Sequence, residues 1–195
     1  VMKYSKTLAR SANTMEVVSG EERKIVKVLS FPKNQSDVFD LLTQGLSMSE
    51  AEDEYLKRCR VVQDRLDLLM KSDHLAKYEE YEVKKIPGAT GWQIEILMPY
   101  RMSLAEFEKY HTFSSKEERQ MIESLCAALK EAKKAQLDAG PLKKENVFLT
   151  KEGSYVLDVF NELEKEDAGA YESLEKLVAD EELKNEIRTR DLWGW

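Results

Sequence analysis

Glycine, proline and cysteine are scarce in this chain of 195 residues, which contains 8 Gly, 4 Pro and 2 Cys. So little glycine and proline excludes collagen-like and low-complexity sequences. Cys59 and Cys126 are far apart in the chain, without the clustering of a disulfide framework or the C-x-x-C spacing of a zinc site. We therefore expect both thiols to pack as small apolar groups, in a protein of the reducing cytoplasm.

Long apolar runs and excess positive charge are also missing. No apolar run reaches the roughly 18 residues that a membrane helix needs, and the first residues lack the apolar centre of a signal peptide. The formal net charge of −7 disfavours binding to nucleic acid or to an anionic membrane surface. We expect no nucleic-acid partner, and a membrane contact only through a segment beyond residue 195, if at all.

The composition that is present, 42% hydrophobic and 34% charged residues, is typical of a helix-rich globular protein. A chain of this length can form one core or two small lobes.

Alternating patterns predict an antiparallel sheet near the N-terminus. Residues 24–30 alternate and are β-branched, and residues 5–18 predict one or two further strands with a hairpin turn near Gly20. Residues 78–83 and 92–98 are also strand-like, joined by a turn rich in Pro and Gly. The sheet should have about five strands.

From about Ser49 the apolar residues follow the spacing of a helix. Apolar residues then recur at spacings of four and three, which predicts one long helix with a single buried stripe. The stripe consists of Tyr55, Cys59, Val62, Leu66 and Leu69. Residues 34–45 predict a shorter helix in front of it, capped by Ser36.

Two more helices are predicted after the sheet. Residues 103–110 indicate a short helix and residues 115–137 a long one, opened by a serine at 114 or 115 ahead of Glu117 in the pattern of a capping box. Its apolar stripe consists of Ile122, Leu125, Leu129 and Ala132.

The C-terminal part contains a hairpin pattern and a charged helical pattern. Residues 146–150 and 155–157 flank a Glu-Gly turn, and residues 162–190 predict helix. The order of elements favours an α+β fold in two lobes, residues 1–101 and residues 102–195.

Two short stretches of this pattern resemble motifs of the protein kinases. Residues 24–27, Lys-Ile-Val-Lys, resemble the V-A-I-K strand, and residues 139–149 resemble the catalytic loop H-R-D-x-K-P-E-N with its following strand. The resemblance extends over about residues 8–161 and is closest to bacterial serine/threonine-kinase-like domains. It implies an N-lobe antiparallel sheet with a long helix, and a truncated helical C-lobe.

The resemblance also implies positions for a nucleotide cleft. Lys27 stands where the kinase lysine reaches the α- and β-phosphates, and Asn146 matches the catalytic-loop asparagine. Met98 takes the gatekeeper place, and Pro99 and Arg101 belong to the hinge.

Several positions depart from the kinase pattern. Pro141 replaces the aspartate that accepts the substrate proton, and Val159 replaces the metal-binding aspartate of D-F-G. Residues 8–14, in the place of the glycine loop, contain no glycine. In the place of the acid that normally pairs with the strand lysine, the long helix offers Gln63, Asp64 or Arg65 depending on register, and the best-fitting register puts Arg65 there. These losses imply a pseudokinase without catalytic residues, metal or cofactor, which acts as a protein-binding scaffold or regulatory module.

The alternative is a residual nucleotide-binding protein or atypical serine/threonine kinase that binds ATP and Mg²⁺. It would use Lys27, Asn146 and a displaced Asp158, brought into position by a local bulge. Nucleotide sensing without transfer is a third hypothesis. His74 and His111 are expected to be polar loop or helix-end residues, since neither has a partner at metal spacing.

Overall fold

The computed structural model describes Tyr4 and residues 6–10, 13–135, 137 and 143–159. These residues form an α+β fold, which confirms the predicted fold class at that level. The chain divides into two compact units: the first is Val1–Leu66 with Tyr78–Tyr100, and the second is Asp67–Lys77 with Arg101–Trp195.

The first unit contains a five-stranded antiparallel sheet, as the alternating patterns predict. Its spatial order is β1-β2-β3-β5-β4. The strands are β1 Lys6–Arg10, β2 Thr14–Ser19, β3 Glu22–Phe31, β4 Glu80–Lys85 and β5 Trp92–Pro99. Gly20, with φ of 65°, lies in the tight turn between β2 and β3, where glycine adopts a left-handed conformation without strain.

Both faces of the sheet bury apolar side chains. Val26 of β3 lies opposite Leu97 of β5, and both pack with Val17 in one cluster. Successive residues of a strand project to opposite faces, so Ile96 and Met98 belong to the other face, where they are also buried. A strand buried on both faces explains why residues 92–98 are almost continuously apolar.

The first helix, α1 (Asp37–Thr43), is shorter than the predicted 34–45. The predicted cap is wrong, because Ser36 has helical backbone angles (φ −61°, ψ −27°) and its side chain makes no capping hydrogen bond. A capping serine needs an extended backbone to turn its hydroxyl toward the exposed N–H groups of the first turn.

The long helix α2 (Met48–Leu69) follows the predicted stripe. All five stripe residues are at most 1% exposed. At its N-terminal end, the Ser47 hydroxyl accepts from the Glu50 N–H at 3.1 Å, while Glu50 Oε1 accepts from the Ser47 N–H at 3.4 Å. This reciprocal pair satisfies two N–H groups at the start of the helix.

The second unit contains α3 (Leu104–Phe107), α4 (Ser115–Lys134) and a short 3₁₀ turn (Lys144–Asn146) ahead of a hairpin. The hairpin pairs β6 (Val147–Leu149) with β7 (Tyr155–Leu157), as predicted. The α3 helix is shorter than the predicted 103–110. The predicted helix over 162–190 lies outside the described residues.

The predictions for α4 are confirmed. Ser114 and Glu117 form the capping box, with both hydrogen bonds at 3.2 Å. Ile122, Leu125, Leu129 and Ala132 are all buried, and so is Cys126. Cys59 and Cys126 are both buried thiols, as expected. Among the described helices, none is long and apolar enough to cross a membrane.

Candidate functional site

The predicted site residues are divided between the two units. Lys27, Met98 and Pro99 belong to the first unit, and Arg101 and Asn146 to the second. In the first unit, Lys27 lies opposite Ile96 across β3 and β5, and Ile25 lies opposite Met98. Because opposed residues share a face, the sheet brings Lys27 and Met98 onto one face, with the side chain of Lys27 partly buried.

The strand end that carries Pro99 is fixed by two cationic residues of β3. Pro99 lies opposite Lys24, whose ammonium group pairs with Glu79. The neighbouring Arg23 places its guanidinium 4.3 Å from the ring centroid of Tyr100 and 2.8 Å from a Glu16 oxygen. A guanidinium over a ring face is an attractive contact, so these residues hold the chain where it leaves the sheet.

Arg101 interacts with the protein's own backbone. Its Nη1 donates to the carbonyl oxygen of Lys77 at 3.2 Å, which joins two segments of the second unit. Nothing in the sequence signals this contact, because the two residues are 24 positions apart. The guanidinium therefore has a structural partner at the position where the resemblance implies a hinge residue.

Asn146 and Asp158 are brought together at the open end of the β6–β7 hairpin. The Asp158 N–H donates to the Asn146 carbonyl at 2.8 Å, next to the first strand pair of Val147 and Leu157. Asn146 is the last residue of the 3₁₀ turn, and its own N–H donates to the Lys143 carbonyl at 2.9 Å. Asn146 and Asp158 are therefore joined through their backbones.

Val159, the residue in the D-F-G aspartate place, is 1% exposed. A buried hydrocarbon side chain offers no ligand to a metal and no hydrogen bond to a nucleotide. Five further positions of the kinase motifs lie outside the described residues, namely Ala139, Gly140, Pro141, Phe160 and Asn161.

His74 and His111 both bind carboxylates, which the sequence reasoning missed. His74 Nδ1 is 2.8 Å from Glu131 Oε1, and the His74 backbone N–H donates to Glu131 Oε2 at 3.0 Å. The Ser72 hydroxyl also donates to Glu131 and accepts from the Leu75 N–H at 3.1 Å. One carboxylate of α4 thus holds the segment that precedes β4.

The same segment lies beside β7. Leu75 forms a parallel bridge with Leu157, whose N–H donates to the His74 carbonyl at 2.9 Å, and the Ala76 N–H donates to the Leu157 carbonyl at 2.8 Å. Burial raises the pKa of Glu131, but hydrogen bonds from Ser72 and from His74 outweigh it, so that the pKa lies below its ordinary value. Glu131 is therefore an ionised acceptor at neutral pH.

His111 lies in an aromatic cluster at the start of α4. Its ring stacks on Phe107 with centroids 4.8 Å apart and meets the edge of Phe113 at 5.1 Å. Nε2 is 2.6 Å from Glu117 Oε2, and hydrogen bonds from His111 and then Ser114 lower the pKa of Glu117. The capping box motif predicts the position of Glu117, but not this second partner.

The carboxylates of Glu131 and Glu117 each pair with one histidine, His74 and His111 respectively. No group of three His, Cys, Asp or Glu residues within the described ranges is arranged to hold a metal ion. The Glu131 carboxylate accepts from both Ser72 and His74, whereas activation of a serine nucleophile requires the histidine to lie between acid and hydroxyl. This cluster is therefore a structural clamp.

Comparison with known proteins adds no family: the chain matches no protein-family model and no curated protein.

Proposed function

We propose that the chain is a pseudokinase, a kinase-like domain that binds a partner protein and does not transfer phosphate. The resemblance at Lys27 and Asn146 supports kinase ancestry. The observation that carries the proposal is the pair of lost carboxylates, Pro141 and Val159, at the two positions that orient the nucleophile and hold the metal.

The physical argument concerns what phosphoryl transfer requires. The reaction depends on positioning and on stabilisation of developing charge, and both missing residues supply these effects. Val159 is also buried. Because its side chain is a hydrocarbon, no rotation of that side chain presents a polar group to a metal ion. A domain with this composition can retain the shape of a kinase and serve as a binding module.

The first test is a thermal shift of the full chain with millimolar ATP, with and without Mg²⁺. A ligand that binds only the folded state raises its stability, by about 2.7 kcal/mol at a hundredfold excess over the dissociation constant. We expect no shift. A Mg²⁺-dependent shift that is lost in Lys27→Ala and kept in Lys57→Ala, an exposed lysine of α2, would contradict the proposal.

The scaffold role needs a test of its own. The wild-type chain and Lys27→Ala are each used to purify partner proteins from the source cells. We expect both to retain the same partner in the absence of nucleotide. A partner that binds only in the presence of ATP would indicate nucleotide sensing instead.

One observation favours the alternative, a residual Mg²⁺–ATP-binding protein or atypical kinase. The Asp158 N–H donates to the Asn146 carbonyl at 2.8 Å, and this backbone contact between the two residues supports the alternative. The alternative predicts a Mg²⁺-dependent ATP shift and phosphate transfer, both abolished in Asp158→Ala and retained in the matched variant Glu152→Ala at the exposed hairpin turn.

A further inference from the structure

The strand β4 forms one edge of the sheet in the first unit. Within the described part of the chain it pairs with β5 alone, in one regular register from Glu80 to Lys85. The opposite edge strand, β1, has a register shift between Thr7 and Ala9, and such irregularities hinder pairing with a further strand. The edge of β4 is therefore the more regular template for an added strand.

The backbone groups of β4 point alternately toward β5 and toward the open edge. The Ile86 N–H donates to the Gly91 carbonyl oxygen at 3.1 Å, and these two residues continue the register of the two strands. Opposed residues of an antiparallel pair exchange hydrogen bonds at every second position, so Lys84 and Glu82 also bond to β5. The N–H and C=O of Val83, between them, point to the open edge. Among the described elements, none other than β5 pairs with this strand.

The side chains of Glu82 and Lys84 carry opposite charges on one face of β4. They are two residues apart on a strand, so they project to the same side, and both are partly exposed. Lys84 lies 2.6 Å from a carboxylate oxygen of Glu95, whereas none of the described residues forms an ion pair with Glu82. Lysine on an edge strand usually discourages pairing. Here the lysine follows an acid on the same face, so an antiparallel copy of the strand presents the complementary order of charges.

These charges favour one register between β4 and its own antiparallel copy. In the three registers that overlap most, Val83 forms a hydrogen-bonded pair with residue 81, 83 or 85 of the copy. If Val83 lies opposite Tyr81, the two Glu82 side chains are opposed, and if it lies opposite Lys85, the two Lys84 side chains are opposed. Like charges directly opposite each other destabilise a strand pair. If Val83 lies opposite Val83, each Glu82 instead faces a Lys84.

We propose that the open edge of β4 binds a second copy of this chain as an antiparallel strand, with Val83 opposite Val83 and each Glu82 opposite Lys84 of the other copy. Backbone hydrogen bonds join the two Val83 residues, and the unlike charges occupy the positions where opposed side chains are closest. The contact involves one short strand from each copy, so the dimer should be weak and reversible. It is independent of the pseudokinase proposal, because none of these residues belongs to the implied nucleotide cleft.

Sedimentation of the full chain from micromolar to millimolar concentration tests the dimer. Glu82→Lys opposes like charges in both pairs and should weaken dimerisation about tenfold or more. Within one copy Glu82 lies opposite Glu95, so this variant replaces a like-charged pair by an unlike one and should keep its fold. Glu21→Lys, in the exposed turn before β3, is the matched charge reversal and should dimerise like the wild type. Lys84→Glu should also weaken dimerisation, whereas a mixture of Glu82→Lys and Lys84→Glu should dimerise again, because a basic edge then meets an acidic one.

Cysteine cross-linking tests the register. Val83→Cys places two thiols directly opposite each other, with Cα atoms about 5.5 Å apart, which a disulfide can span. The native Cys59 and Cys126 are buried and should not compete. We expect oxidised Val83→Cys to form covalent dimers much faster than Glu21→Cys. A wild-type chain that stays monomeric, a Glu82→Lys variant that dimerises like the wild type, a mixture that stays monomeric, or equal cross-linking of the two cysteine variants would each overturn the proposal.

Discussion

His74 binds the carboxylate of Glu131 through both its ring and its backbone, with Nδ1 2.8 Å from Oε1 and the N–H 3.0 Å from Oε2. An ionised carboxylate only accepts hydrogen bonds, so Nδ1 carries the hydrogen. Glu131 thereby fixes the segment around His74, which lies beside β7. A variant that removes the charge of the Glu131 carboxylate tests this interaction.

Glu131→Gln should destabilise the chain by about 1–3 kcal/mol, because the buried hydroxyl of Ser72 and the half-buried donors of His74 lose a charged acceptor. The free energy of unfolding is measured by urea titration. Glu123→Gln, an exposed position on the same helix, is the matched control and should change stability by less than about 0.5 kcal/mol. Equal effects of the two variants would show that the clamp does not stabilise the fold.

The contribution of Glu131 to the free energy of unfolding should decrease as the pH falls. The pKa of Glu131 is lowered in the folded state, relative to about 4.3 in an unfolded chain. Its stabilisation is therefore complete above the unfolded pKa and is lost as pH falls through the folded pKa. The stability difference between wild type and Glu131→Gln should stay constant from pH 7 to about 5 and close below about 4. A stability difference that increases as the pH falls would contradict the predicted direction.

Leu66 and Leu68 are two residues apart on α2 and differ in exposure: Leu66 is fully buried and Leu68 is 38% exposed. Leu66→Ala should cost about 2–5 kcal/mol, because it removes buried methyl groups and leaves a cavity. Leu68→Ala should cost less than about 1 kcal/mol. The midpoint of urea unfolding measures both changes, and a larger loss for Leu68→Ala would mean that the buried face of α2 is wrongly assigned.

Gly91 approaches the backbone of β3 more closely than any side chain allows. A Cβ at Gly91 would lie 2.2 Å from the Phe31 carbonyl oxygen, and its φ is +118°. Gly88, in the same turn, has φ of +67° and open space around it.

Gly91→Ala should therefore destabilise the sheet by several kcal/mol, through both backbone strain and steric overlap. Gly88→Ala should cost about 1 kcal/mol, from backbone strain alone. Thermal unfolding of the two variants separates these effects, and similar melting temperatures would show that the turn can move away from Phe31.

Local sequence patterns determined the individual elements. The α2 stripe and the Ser114–Glu117 capping box were predicted because each depends on side chains within a few turns of one helix. Gly20 fixed a hairpin turn for the same reason. The Ser36 cap was wrong because residue type alone does not set backbone angles, and Ser36 is already helical.

Contacts between distant segments were decided only by the tertiary structure. His74 and Glu131 are 57 residues apart and Arg101 and Lys77 are 24 apart, so no periodicity or motif connects them. The Asp158 N–H reaches the Asn146 carbonyl because the pairing of β6 with β7 brings the two segments together. Sequence spacing determines what lies on one face of one element, whereas packing of the elements determines which side chains meet.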